Sequence, residues 1–120
     1  MKLAQVAVNV KDLGRATAFY RDVLKLPFLF EAPPGLAFFD AGGVRLMLAR
    51  PERPESDRPS SILYYQVEDI GRAYEEVKAR GAKFDGPPHV IHRDARHELW
   101  MTSLKDTEGN PLALMCPKPI

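Results

Sequence analysis

From Leu3 to Val10 the chain alternates, with Ala4, Val6, Val8 and Val10 on one side and Leu3, Gln5, Ala7 and Asn9 on the other. A period of two is that of a strand. Asp12 then stands where a helix N-cap belongs. Leu13, Ala16, Tyr20, Val23 and Leu24 recur at helical spacing until Pro27 ends the run. Leu29–Phe30, Ala37–Asp40 and Val44–Ala49 read as three further strands, separated by the turn formers Pro33-Pro34-Gly35 and Ala41-Gly42-Gly43. The stretch Arg50–Ser60, RPERPESDRPS, is proline-rich and charged, a linker by composition.

After that stretch the pattern restarts. Val67-Glu68-Asp69-Ile70-Gly71-Arg72-Ala73 repeats Val10-Lys11-Asp12-Leu13-Gly14-Arg15-Ala16 at an offset of 57 (67 − 10), with five of seven positions identical. A second helix is predicted from Asp69 through Ile70, Ala73, Tyr74 and Val77, with Gly81 as its stop. Asp106-Thr107-Glu108-Gly109 mirrors Asp40-Ala41-Gly42-Gly43, and Leu112-Ala113-Leu114 mirrors Leu46-Met47-Leu48, both at an offset of 66 (106 − 40). Two matches in the same order point to an internal duplication. The widening offset places nine extra residues between the second helix and Leu104. The predicted class is α+β, a single domain over 1–120 built from two βαβββ modules. Module 1 is 1–49, the linker 50–60 and module 2 61–120.

A doubled βαβββ unit that opens with VAVNVKDLGRATAFYRDVLKL and closes with DTEGNPLALM resembles the vicinal-oxygen-chelate superfamily. That group includes glyoxalase I, extradiol dioxygenases, methylmalonyl-CoA epimerase and bleomycin-resistance proteins. The resemblance covers nearly the whole chain and rests on Phe19-Tyr20-x-x-Val23-Leu24 and on the Asp-x-x-Gly-Asn turn at Asp106. It implies curved mixed sheets around one concave trough. It also implies four metal-ligand positions, which fall here on Gln5, Ile62, Met47 and Ala113. Of these only Gln5 carries an oxygen donor, and Met47 offers a thioether suited to soft metals. A divalent ion needs three or four N/O donors. The expectation is therefore no metal and no cofactor.

Strand parity leads to the same place. Val6, Val8, Val10, Leu46, Leu48, Leu63, Tyr65, Val67, Leu112 and Leu114 form apolar faces suited to packing under helices. Their alternates, Gln5, Ala7, Asn9, Met47, Ile62, Tyr64, Gln66, Ala113 and Met115, make an apolar lining with a few neutral polar groups, as small-molecule sites do. Gln5 and Tyr64 could orient a carbonyl or phenol, or satisfy each other. Met47 and Met115 suit an adaptable apolar site, though filling a core is the commoner use of methionine. Arg45 shares the parity of Met47 and could reach a ligand carboxylate, against the plainer reading of a solvated strand-edge arginine. His97 and Trp100 fall near the nine extra residues. They could form a lid in which Trp100 stacks on a planar ligand and His97 supplies a hydrogen bond, or Trp100 is simply core.

The alternative is a superfamily enzyme with an atypical site that uses Gln5 and the arm from His89 to His97, which also carries His92, Asp94 and Glu98. Imidazole and carboxylate are good ligands for zinc, iron or nickel, yet the spacing matches no compact structural-zinc pattern. A solvated hairpin arm explains the same residues.

Composition narrows the function further. Seventeen basic against sixteen acidic residues leave a net charge of +1 without a like-charged block, so no nucleic-acid partner is expected. No apolar run approaches the ~20 residues of a membrane span, and the alternating N-terminus is unlike a signal peptide. The lone cysteine, Cys116, cannot form an internal disulfide. The expected protein is cytoplasmic and homodimeric. It binds a small hydrophobic or aromatic molecule through Gln5, Met47, Tyr64, His97, Trp100, Ala113 and Met115, for sequestration or resistance.

Overall fold

The computed structural model describes residues 1–54 and 57–120, which form two compact units, Met1–Ser61 and Ile62–Ile120. In the first, β1 (Gln5–Asn9) leads into α1 (Leu13–Ala18), which continues as a π-helical turn over Phe19–Val23. Three strands follow: β2 (Phe28–Ala32), β3 (Leu36–Ala41) and β4 (Val44–Ala49). The sheet order is β1-β4-β3-β2, with β1 parallel to β4 and the other pairs antiparallel. The second unit repeats this plan with β5 (Leu63–Gln66), α2 (Ile70–Ala79), β6 (His89–Arg93), β7 (His97–Lys105) and β8 (Pro111–Pro119), in the order β5-β8-β7-β6. These two four-stranded mixed sheets, each with its own helix, are the α+β architecture the duplication predicts.

The duplicated Asp-x-Gly-Arg segments work as helix starts. The Asp12 carboxylate accepts from the Arg15 amide at 3.0 Å, and Asp69 accepts from Arg72 at 3.1 Å. The first helix departs from the simple expectation of a regular run to Leu24. Its end widens, the Leu24 amide donating to the Phe19 carbonyl and the Leu26 amide to that of Tyr20, while Lys25 takes a left-handed φ of 62°. Ala16, Phe19 and Tyr20 face inward there, and the sheet answers with Val8, Leu46, Leu48 and Phe39, all at most 5% exposed. The Tyr20 ring meets Phe19 at 5.4 Å and Phe39 at 6.0 Å. In the second unit Ile70 and Val77 of α2 are buried, as are Leu104, Leu112, Leu114 and Cys116 of the sheet.

The nine extra residues lie in the second hairpin. Phe28 opposite Phe39 corresponds to Phe84 opposite Leu104, so the offset grows from 56 on the first strand to 65 on the second. The insertion is absorbed by ladder: β7 and β8 are nine residues each, where β3 and β4 are six. Both outer strands of these hairpins also carry a bulge, between Phe28 and Phe30 in β2 and between Val90 and His92 in β6.

Two polar details complete the frame. Asp106, 6% exposed, closes the turn before β8: its carboxylate accepts from the Glu108 and Asn110 amides at 2.8 and 2.9 Å and from Asn110 Nδ2 at 2.9 Å. Within the proline-rich stretch, Ser60 Oγ accepts from the Asn9 amide at 2.8 Å and the Arg58 carbonyl accepts from Asn9 Nδ2 at 2.9 Å. The end of the predicted linker is thus tied along β1 and belongs to the first unit; residues 55 and 56 of it lie outside the described residues. Among the described residues no helix is long and apolar enough to cross a membrane.

Candidate functional site

In the first unit, α1 packs on one face of the sheet and leaves the other to Gln5 and Ala7 of β1, Arg45 and Met47 of β4, Phe38 of β3 and Phe30 of β2. These residues stand side by side in the strand register. Gln5 Nε2 meets the Met47 thioether at 3.6 Å, a weak contact that leaves the amide group available to a better partner. Phe30 stacks on Phe38 with centroids 4.6 Å apart and planes 28° from parallel. The Arg45 guanidinium carbon sits 5.4 Å from the Phe38 centroid and 5.7 Å from that of Phe30. Phe38 is buried beneath this assembly, whereas Phe30 is 43% exposed. Asp40 pairs with Arg45 across the ladder, but its carboxylate accepts from the Gly43 amide at 2.8 Å. No carboxylate among the described residues forms an ion pair with Arg45.

Sequence parity found Gln5, Met47 and Arg45 on this face. It missed the Phe30–Phe38 pair, because the bulge at Leu29 breaks alternation in β2. With one residue inserted, Phe28 turns toward Phe39 on the helix side, at 5.5 Å, and Phe30 toward Phe38 on the open side.

The corresponding face of the second unit carries Tyr64, Gln66, Met115, Met101, Ser103 and Ala113. Tyr64 is 54% exposed. Ala113 shares their parity but is sealed by its neighbours at 2% exposure, so it presents almost no surface to a ligand. On the helix side, Tyr65 stands beside Leu114 with its hydroxyl oxygen shielded and without a hydrogen-bond partner among the described residues. Burial, helped by the negative charge of Asp106, pushes the Tyr65 hydroxyl up to about 12.

The lid expected of His97 and Trp100 does not form as one unit. Both lie in β7, and three positions apart on a strand put them on opposite faces. His97 shares the side of Leu99 and Met101, while Trp100 shares that of Thr102 and Leu104, opposite Cys116 and Val90. Trp100 is half-buried. Its indole Nε1 donates to Glu98 at 3.4 Å, the Lys118 ammonium lies 4.5 Å from its ring centroid, and Glu98 also pairs with Arg93. This is a packed polar-aromatic stack on the helix side.

The arm itself is the β6–β7 hairpin. The Asp94 carboxylate accepts from the Arg96 and His97 amides, both at 2.8 Å, and those two bonds hold it below the usual carboxylate range. His89, His92 and His97 are exposed, with His89 Nδ1 at 3.3 Å from the Pro87 carbonyl. Among the described residues no three His, Cys, Asp or Glu side chains come close enough to hold a metal ion. The arm assembles no ligand cluster.

Nor do the four positions implied by the family resemblance fit a divalent ion. Gln5 contributes one neutral amide and Met47 a thioether, Ile62 is an exposed aliphatic, and Ala113 is a sealed methyl. Separately, a cleft of about 490 Å³ opens in the first unit between Leu13, Glu31, Pro34, Leu36 and Arg50. None of the expected site residues lines it. Cys116 is free and buried, with its Sγ 3.4 Å from the Glu68 carbonyl.

Comparison with known proteins agrees with this fold. Residues 2–114 match the family model described as Glyoxalase/Bleomycin resistance protein/Dioxygenase superfamily. An uncharacterized protein of Bacillus subtilis (strain 168), YraH, is 30% identical over 121 aligned positions, covering 82% of this chain and 94% of its own. Among solved structures, a member of the same superfamily from Sphaerobacter thermophilus superposes with a TM-score of 0.80 at 20% identity, over 97% of each chain. A lactoylglutathione lyase from Agrobacterium tumefaciens gives 0.76 at 20% identity, over 96% of this chain and 92% of its own. At that identity the two structures share the fold.

Proposed function

The chain belongs to the Glyoxalase/Bleomycin resistance protein/Dioxygenase superfamily, and we propose that it works as a non-metal small-molecule-binding protein on that scaffold. In this reading it holds a hydrophobic or aromatic ligand on the sheet faces its helices leave open, and serves sequestration or resistance. The observation that carries it is the make-up of the first unit's open face. Where the family resemblance implies metal donors, this chain has Gln5 against the Met47 thioether, and beside them an exposed Phe30 stacked on Phe38 under Arg45. Such a surface cannot repay the dehydration of a divalent ion. It is well made to cover an apolar ring and to fix it with a few polar groups.

Native mass spectrometry of the purified protein, paired with elemental analysis, tests the proposal. An organic adduct without stoichiometric metal is expected. Stoichiometric zinc, nickel or iron that is lost in Gln5→Ala would overturn it. We also propose that the protein is a cytoplasmic homodimer, since β2, at the end of its sheet, exposes Phe28, Leu29 and Phe30, which a second copy would cover. Light scattering at tens of micromolar should give twice the chain mass, and a monomer mass would refute the dimer.

A further inference from the structure

We infer that the open face of the first unit selects aromatic carboxylates, with Arg45 as the residue that sets this specificity; the inference rests on the binding reading above and names its ligand class. Arg45 is an exposed strand residue whose guanidinium is held at 5.4 and 5.7 Å from two phenylalanine rings. The stack orients the planar fork without using up its N–H donors, because rings offer it no lone pairs. The carboxylate nearest in the ladder, Asp40, is engaged by the Gly43 amide, and no ion pair neutralises Arg45 among the described residues. Asp40 shares the face but does not close on the guanidinium, so the N–H donors of Arg45 remain available to a ligand oxygen.

Its neighbours define the rest of the ligand. Gln5 lies directly opposite Arg45 in the β1–β4 pairing, and its amide is held only by a 3.6 Å contact to a thioether. A second N–H donor thus stands beside the guanidinium. Phe30, 43% exposed on top of the buried Phe38, supplies the apolar surface. A flat ring laid against Phe30 with a carboxylate attached in its own plane meets both requirements at once. The ring covers the phenylalanine and the two oxygens reach the fork of Arg45. A neutral or cationic aromatic offers the guanidinium fork no pair of carboxylate oxygens to accept from it.

Calorimetric titration with 2-naphthoate and its neutral analogue 2-naphthalenemethanol tests this, on the wild-type chain and on R45Q, R45K and F30A, each checked for folding by circular dichroism. The naphthoate should bind at least about tenfold more tightly than the alcohol, the scale of one charge-assisted hydrogen bond. R45Q should abolish that preference, R45K should retain part of it, and F30A should weaken both probes. Raising the salt concentration should weaken only the naphthoate, a readout that does not depend on any variant folding. A wild-type protein that binds both probes equally, or a preference that survives R45Q, overturns the carboxylate inference and leaves the aromatic-binding reading standing. If neither probe binds, both fall.

Discussion

Replacing Tyr65 by phenylalanine removes one oxygen whose position costs the fold stability in two ways. The hydroxyl is shielded from solvent and has no hydrogen-bond partner among the described residues, so at neutral pH the folded state bears its desolvation without compensation. An unpaired buried hydroxyl costs about 1–3 kcal/mol, and shape is conserved in the exchange, so Tyr65→Phe should be stabilising at pH 7 by about 1 kcal/mol. The alkaline limb carries a second signature. The hydroxyl is pushed up to about 12 in the fold by burial first and by Asp106 second, against about 10 in the unfolded chain. Below pH 10 both states hold the proton and the group contributes no pH dependence. Between pH 10 and 12 the unfolded chain loses its proton first, so the wild type is destabilised as pH rises. Two decades at about 1.4 kcal/mol each set an upper limit of about 3 kcal/mol, and Tyr65→Phe escapes this loss. Urea denaturation of both proteins at pH 7, 9 and 11 reads the difference, and the other titrating groups cancel in it. A variant less stable than wild type at pH 7, or curves that run parallel up to pH 11, would mean that the hydroxyl is neither unpartnered nor shifted in the fold.

The turn before β8 and the helix caps give two further expectations. Asp106→Ala leaves the Glu108 and Asn110 amides and the Asn110 side chain without their acceptor, and should destabilise the fold by about 3 kcal/mol in urea titration. Asp12→Ala and Asp69→Ala each remove one cap bond and should cost about 1 kcal/mol apiece. Because the two caps share no partner, the double variant should show the sum, which thermal unfolding can check.

What the sequence made legible was decided by how local each signal is. The Asp12 and Asp69 segments state their helix starts outright, and β1, β4, β5 and β8 alternate without interruption, so Gln5, Met47, Arg45 and Tyr64 could be put on their faces by counting. Phe38 and Phe39 are adjacent and both apolar, so counting cannot say which of them turns outward. Only the register with Met47 and Leu46 decides it. Phe28 and Phe30 share a parity yet face opposite sides, since the intervening bulge depends on pairing with a strand not yet in place. For the arm, nine surplus residues looked like room for a lid. They instead lengthened β7, which fixed His97 and Trp100 to opposite faces. Insertions that can pair are stabilised by pairing, and the sequence does not show where the partner strand will continue.

The bulges in β2 and β6 bear on how this protein behaves when crowded. Each sits on the outermost strand of its sheet, and each leaves a large aliphatic group in the open, Leu29 at 46% and Ile91 at 44% exposure. A regular edge with Phe28, Leu29 and Phe30 in a row would be a template for a strand from another molecule. The extra residue interrupts the even spacing of free amides and carbonyls, so an incoming strand that fits one side of Leu29 is out of step on the other. Greasy contact surface and ladder geometry are thereby uncoupled. The chain can keep an aromatic edge without that edge seeding a fibril.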